Sequence, residues 1–212
     1  MILQRISLAL AATACVTAIG LPQGQTASPA QLVQGEPSPP PPSWRVVITE
    51  FMKDPAHVGD SQGEWIEVYN PMPWRLNLEG WTLGDDNGAQ HTISNGGQGV
   101  YVRPGDYLVL GRSADLATNG GVDVDYVYSS FTLSNGSDQI VLRRRNGLVA
   151  ERIAYDDGVT WPDQGGQSIS LDPNWLDPVS NDDGARWCHS TTAIGNGNTD
   201  TGTPGFANDP CL

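Results

Sequence analysis

The sequence predicts an antiparallel β-sandwich, and three observations lead to that fold class. The chain of 212 residues contains 25 Gly and 16 Pro, which favour turns and breaks over helices. Short apolar or alternating segments recur about every 8 to 15 residues, with turn residues between them. No apolar pattern of helical periodicity extends beyond about two turns. Short strands with regular turns and one exposed face are typical of a sandwich.

About nine segments have the strand pattern. The first is rich in β-branched and aromatic side chains. The second alternates, so that Trp65 and Glu67 share one face and Ile66 and Val68 share the other. In chain order the segments are 44–51, 64–69, 80–83, 90–93, 107–110, 124–128, 138–142, 148–155 and 167–171.

Turn residues set the boundaries between these segments. Asn70-Pro71 ends the second segment, and the Gly- and Asp-rich stretch 84–88 separates the third from the fourth. The fifth segment begins after the turn at 103–106. Asn146-Gly147 is a strong two-residue hairpin signal, so we expect the seventh and eighth segments to pair as a hairpin.

The charge of the chain is one-sided, with 24 Asp and Glu against 11 Lys and Arg and a formal net charge of −13. Nucleic acid is therefore not expected as a partner, because a phosphate backbone requires a basic face. Asp, Asn, Gly and Pro are poor helix formers, which argues against a helical bundle or a coiled coil. An apolar content of 38% suffices for a core, so we expect a folded chain.

The beginning of the chain predicts export followed by a spacer. Residues 1–30 hold a short basic start and an apolar, Ala-rich run that suits a signal peptide and is too short to span a bilayer comfortably. Lipidation of Cys15 within that run is the alternative, and membrane contact is expected only in that case. Residues 31–43 contain four consecutive prolines and predict a polyproline II linker. We therefore expect an extracellular or cell-envelope protein.

Two cysteines, Cys188 and Cys211, remain once residues 1–30 are removed. An even pair near one terminus of an exported protein predicts a disulfide, which would stabilise the fold by about 3 kcal/mol on the chain-entropy model. A metal site is the alternative, although the usual third and fourth ligands are missing. We expect residues 44–171 to form the sandwich, with the Asp-, Asn- and Gly-rich tail 172–212 packed on it.

Six motifs follow one another in residues 44–208. They are VITEF at 47–51, GEWIEVYNP at 63–71, LEGWTLGD at 78–85, PGDYLVL at 104–110, LSNGSDQIVL at 133–142 and GTPGFAN at 202–208. Their order resembles the lamin-tail domain family, and the last motif is similar to a closing signature of its exported bacterial members.

The resemblance implies a non-catalytic, immunoglobulin-like β-sandwich. Bacterial relatives often join this module to hydrolases, nucleases or surface proteins, and its own ligand is generally undefined. The chain has no segment with the pattern of a coiled-coil rod, so the filament-forming role of nuclear lamins does not carry over.

Candidate catalytic groups are few, and we expect no catalytic residues. Glu64 and Glu67 lie three apart in a predicted strand, so their side chains point to opposite faces and do not form an acid–base pair. His57, His91 and His189 occur without a nucleophile-elbow motif and are expected to be scattered surface residues.

Acidic and aromatic loop residues are the candidate binding groups. No cofactor other than calcium is expected; exported proteins meet calcium, which binds clustered oxygen ligands. Solvated turns are the alternative interpretation of these aspartates. Exposed aromatic rings in loops can stack on sugars. The calcium candidates are Asp85, Asp86, Asp182 and Asp183, and the aromatic candidates are Trp74 and Trp161.

The only basic run is residues 143–145, which are all Arg. Binding of phosphate or an acidic glycan is one interpretation. The interpretation favoured by its position at a hairpin end is protection of an edge strand against further strand pairing.

These features predict an exported, non-catalytic module that binds an unknown protein or cell-surface ligand. One alternative is a secreted metal-dependent hydrolase or nuclease that uses loop carboxylates. Another is a calcium-stabilised glycan-binding domain.

Overall fold

The computed structural model describes residues 45–212, and this part of the chain consists mainly of short strands. The predicted signal peptide, Cys15 and the linker 31–43 lie outside the described residues. Within residues 45–212, no helix is long and apolar enough to cross a membrane.

Fourteen strands and four short helices form within the described residues. The strands are β1 (Val47–Met52), β2 (Trp65–Tyr69), β3 (Leu76–Asn77), β4 (Thr82–Gly84), β5 (Gln90–Thr92), β6 (Tyr101–Val102), β7 (Tyr107–Gly111), β8 (Tyr126–Val127), β9 (Ser137–Arg143), β10 (Val149–Asp156), β11 (Ile169–Leu171), β12 (Trp187–His189), β13 (Ala193–Gly195) and β14 (Asn198–Thr201). The helices are α1 (Asp60–Gly63) and three 3₁₀ turns at Pro173–Trp175, Ser180–Asp182 and Gly184–Arg186.

Two main sheets face each other across one core, which confirms the predicted β-sandwich. The larger sheet has the order β12-β11-β1-β2-β7-β8, and the smaller sheet has the order β10-β9-β4-β5. All pairings in these sheets are antiparallel except that between β7 and β8. The strands β3 and β6 form a separate two-stranded sheet, as do β13 and β14.

The core is built from the inward-facing apolar side chains of both sheets. From the larger sheet come Ile48, Phe51, Ile66, Val68, Leu108, Leu110, Ile169 and Leu171, and from the smaller sheet Leu83, Ile140, Leu142, Ile153 and Tyr155. The alternation predicted for β2 places Ile66 and Val68 in this core.

The outer face of the larger sheet is also covered, which explains why every residue of β1 is buried. Met52, Trp65 and Val109 form a second apolar cluster there with Val122, and Ile194 of the C-terminal segment packs against it. Gly202 lies so close to this layer that a Cβ atom would meet Trp65 Cζ2 at 3.0 Å.

All nine predicted segments overlap an observed strand, but five observed strands were not predicted. Two of these, β3 and β6, have only two residues each, too short for a periodic pattern. The others, β12 to β14, come from the segment predicted to be a tail, and β12 extends the larger sheet by pairing with β11.

The predicted disulfide between Cys188 and Cys211 is confirmed, with the two Cα atoms 5.7 Å apart. Cys188 lies in β12, and the backbone N–H of Cys211 donates to the Asp172 carboxylate at 3.1 Å. Nearby, Asn208 Nδ2 donates to the carbonyl oxygens of Thr49 and Leu171 at 2.7 and 2.9 Å. The C-terminus is therefore fixed to the larger sheet by both the disulfide and hydrogen bonds.

Candidate functional site

Two glutamates face each other beneath the C-terminal segment on the outer side of the larger sheet. Glu50 of β1 and Glu67 of β2 are cross-strand partners, and both are fully buried. Glu50 accepts hydrogen bonds from the hydroxyls of Ser168 at 2.5 Å and Ser170 at 2.8 Å. It also accepts from the Thr203 backbone N–H at 3.0 Å and the Thr203 hydroxyl at 2.8 Å.

Glu67 binds the same C-terminal segment through a different residue. It accepts from the Thr49 hydroxyl at 2.6 Å and from the Gly205 backbone N–H at 2.7 Å. Burial raises the pKa of both Glu50 and Glu67, and the Glu50 charge raises the pKa of Glu67 further. The pair thus holds residues 202–208, which we term the closing motif, on the sheet, because each carboxylate accepts hydrogen bonds from a different residue of that motif.

Glu64 belongs to a different environment from Glu67. It accepts from the buried backbone N–H of Leu133 at 3.3 Å, and burial raises its pKa to about 7. Glu64 and Glu67 therefore bond different segments.

Glu151 is a further buried carboxylate, which sequence reasoning did not select. It accepts from Asn181 Nδ2 at 2.5 Å and from the Ile48 backbone N–H at 3.4 Å, and burial raises its pKa to about 8. A shift in register between Val149 and Glu151 leaves Ala150 and Glu151 both buried. Simple alternation would have left one of them exposed, so the sequence contained no signal for this site.

The three histidines occupy unrelated positions. His57 is exposed in a loop, and its backbone N–H donates to Asp200 at 3.1 Å. The His91 ring lies 2.8 Å from the Tyr126 hydroxyl, and His189 adjoins the disulfide. Burial lowers the pKa of His91 and His189, which are half-buried and not the exposed residues that the sequence suggested.

Two of the four acidic loop residues selected as calcium ligands, Asp85 and Asp183, accept hydrogen bonds from nearby backbone N–H groups. Asp85 accepts from the backbone of Asn87 and Ala89 in the β4–β5 turn. Asp183 accepts from the Ala185 backbone N–H at the start of the last 3₁₀ turn. Asp182 is the last residue of the preceding 3₁₀ turn.

Asp86 forms ion pairs with two arginines, Arg143 at 2.7 Å and Arg152 at 2.6 Å. Within residues 45–212, no group of three or more His, Cys, Asp or Glu side chains is placed to hold a metal ion. Calcium binding stays a prediction, to be checked by melting the protein in calcium and in chelator.

The two candidate tryptophans lie in opposite environments. Trp74 is 44% exposed, as expected of a loop aromatic. The prediction that Trp161 is exposed is wrong, because it is only 5% exposed. Its ring centroid lies 5.0 Å from that of Trp187 and 6.4 Å from that of Phe51, so it completes an aromatic cluster in the core.

The prediction that residues 143–145 protect an edge strand is also wrong. They lie at the end of β9, which runs between β10 and β4 inside the smaller sheet. Arg143 pairs with Asp86, and Arg145 Nε donates to the carbonyl oxygen of Glu79 at 2.5 Å. The run connects the hairpin to neighbouring loops.

An open groove of about 380 Å³ lies beside β6 and the start of β7, and we term it the Arg/Tyr groove. The Arg75 guanidinium stacks 3.9 Å from the centroid of the Tyr101 ring, and Tyr101 is 41% exposed. Tyr107, which is partly buried, contributes a second ring to the lining. The residues that line the groove are Arg75, Tyr101, Val102, Arg103, Asp106, Tyr107, Leu108 and Asp125.

The Arg/Tyr groove is created by strand pairing that the sequence did not predict. Leu76 of β3 pairs with Val102 of β6, and this register brings Arg75 beside residues 101–103. Sequence reasoning selected the adjacent Trp74, but no periodic pattern linked that loop to β6.

Two facing, predominantly antiparallel sheets with a common core define the class as an immunoglobulin-like β-sandwich. A family model described as Lamin Tail Domain matches residues 39–157, more than half of the chain. The chain therefore belongs to the lamin tail domain family, which confirms the resemblance seen in the motifs. A comparison with curated proteins found no match.

Proposed function

We propose that the protein is an exported, non-catalytic lamin-tail module that binds a protein or cell-surface ligand. One contrast supports this: the buried carboxylates hold segments of the fold together, while Arg75, Tyr101 and Arg103 of the Arg/Tyr groove are exposed. A catalytic carboxylate has to reach its substrate. Glu50 and Glu67 are fully buried beneath the closing motif, and their hydrogen bonds serve structure.

Binding is tested with the purified, oxidised protein immobilised against envelope and extracellular fractions of the producing cells. We expect saturable capture of a component, with none on the same protein after thermal denaturation. Equal capture by the native and denatured protein would contradict a folded interaction module.

Absence of catalysis is tested on a panel of glycans, esters, phosphodiesters and peptides with calcium, magnesium or zinc. We expect no turnover above buffer. Reproducible turnover that disappears in a folded Glu67→Gln variant would replace this proposal with the hydrolase alternative.

A further inference from the structure

Two arginines of the Arg/Tyr groove flank the two-stranded sheet, since Arg75 directly precedes β3 and Arg103 directly follows β6. Because Leu76 pairs with Val102, the antiparallel register places Arg75 opposite Arg103 one position further on. Like charges directly opposite each other destabilise a strand pair. Although the chain has 24 acidic residues, neither arginine forms an ion pair with a carboxylate in the described part of the chain.

An external anion would relieve this repulsion. The planar guanidinium group binds a carboxylate through two parallel hydrogen bonds, so an arginine pair suits a carboxylate-bearing ligand. Arg75 is already held in place by its stacking on Tyr101, which reduces the entropy lost on binding.

Two acidic side chains in the same groove restrict which anion fits. Asp106 and Asp125 also line it, and an ionised carboxylate accepts hydrogen bonds without donating any. Asp125 Oδ2 accepts from the Val109 backbone N–H at 2.8 Å, which fixes the orientation of that carboxylate. A ligand composed only of anionic groups would be repelled, whereas one that also brings hydroxyl donors would satisfy both aspartates.

The aromatic rings add a surface suited to sugars. The Tyr101 ring lies over Gly99, where an added Cβ atom would be only 2.4 Å from its Cε2. Tyr107 packs against Tyr69 with ring centroids 5.0 Å apart. Aromatic rings offer an apolar face to the C–H groups of a pyranose, and the groove volume falls within the range of small-molecule sites, about 300–1,000 Å³.

We propose that the Arg/Tyr groove binds an acidic glycan through a uronic or sialic acid residue. Arg75 and Arg103 hold the sugar carboxylate, Asp106 and Asp125 accept from its hydroxyls, and the exposed tyrosine surface contacts the ring. This inference rests on the proposed binding function and supplies its ligand class. It requires no calcium.

The test is isothermal titration calorimetry of the full, oxidised chain at low salt. The acidic probes are trigalacturonate, a hyaluronan tetrasaccharide and sialyllactose. The comparison probes are trigalactoside and lactose, which lack the carboxylate, together with hexaglutamate and inorganic phosphate. We expect at least one acidic probe to bind saturably, and about tenfold or more tighter than its neutral counterpart.

The variants Arg75→Gln and Arg103→Gln should each weaken binding of that probe about tenfold or more. The control variant Arg143→Gln removes one positive charge from the four-stranded sheet, away from the groove lining, and should leave the affinity unchanged. Thermal melting verifies that all three variants are folded. The comparison of acidic with neutral probes uses the wild-type protein and so does not depend on the folding of any variant.

Three results would overturn the inference: no binding of any acidic probe, equal binding of acidic and neutral probes, or unchanged affinity in both groove variants. Binding of hexaglutamate or phosphate alone would replace the glycan with another anion and would likewise refute it. If all three acidic glycans fail while the protein still captures envelope material, the binding function stands and only its glycan ligand is wrong.

Discussion

At the scale of single residues, Trp161 and Trp74 form a matched pair, since each adjoins a proline in a loop yet one is buried and the other exposed. Trp161→Ala removes a core ring that packs against Trp187 and Phe51, so we expect the free energy of unfolding to fall by about 3 kcal/mol or more. Trp74→Ala should change it by less than about 0.5 kcal/mol. Urea unfolding measures both, and equal losses would contradict the different environments.

Glu151 supports a second prediction, because its carboxyl lies in an environment that favours the protonated form. Glu151 Oε2 and Asn181 Oδ1 are both buried without a hydrogen-bond donor, while Glu151 Oε1 already accepts from Asn181 Nδ2. A protonated Glu151 could donate to Asn181, whereas the ionised form leaves both oxygens without a donor.

The stability advantage of the variant Glu151→Gln over the wild type therefore should be about 1–2 kcal/mol larger at pH 9 than at pH 6.5. The folded pKa of about 8 means that the folded wild type holds a proton at pH 6.5 that it loses by pH 9. Urea unfolding at both pH values provides the measurement. Asp123→Asn, which removes an exposed carboxylate, is the control and should keep the wild-type pH dependence.

At the scale of elements, the disulfide and the closing motif act together on the larger sheet. Replacing Cys188 and Cys211 by Ser should lower the free energy of unfolding by about 3 kcal/mol, because the 23-residue separation is no longer closed in the unfolded chain. We expect hydrogen exchange to increase first in β12 and in the segment containing Thr203. A loss confined to β9 and β10 would show that the C-terminus is not held in this way.

The elements also show where sequence reasoning succeeds and where it stops. Strands of three or more residues in 44–171 follow alternation or β-branched composition, so all were anticipated. The pairing of Glu50 with Glu67, and of Leu76 with Val102, depends on register between strands that are separated in sequence. Register is a tertiary property, so neither the Glu50–Glu67 pair beneath the closing motif nor the Arg/Tyr groove could be predicted from local patterns.

At the scale of the whole molecule, four buried carboxylates bias stability toward lower pH. Burial raises the pKa of Glu50, Glu64, Glu67 and Glu151, to about 7 for Glu64 and about 8 for Glu151. A raised folded pKa means that the folded state binds more protons than the unfolded chain. The stability that results is fully present below the ordinary glutamate pKa and is lost as pH rises through the folded value.

The range from pH 6.5 to 9 separates the loss of stability caused by the buried glutamates from the effects of groups whose pKa is lowered. The lowered pKa values of His91 and His189 act in the opposite sense, but only below the ordinary histidine pKa of 6.5. The lowered pKa values of Asp156 and Asp177 affect stability only near or below pH 3.8, the ordinary aspartate pKa.

We therefore expect the melting temperature to fall between pH 6.5 and 9, by on the order of 5 °C. The increase in negative charge on a chain that already has a net charge of −13 acts in the same direction. Differential scanning calorimetry without reductant measures the shift, and a double variant Glu64→Gln/Glu151→Gln should flatten it. A melting temperature that rises over this range would mean that the buried carboxylates are ionised in the folded protein and stabilised by their hydrogen bonds, so that the hydrogen bonds outweigh burial.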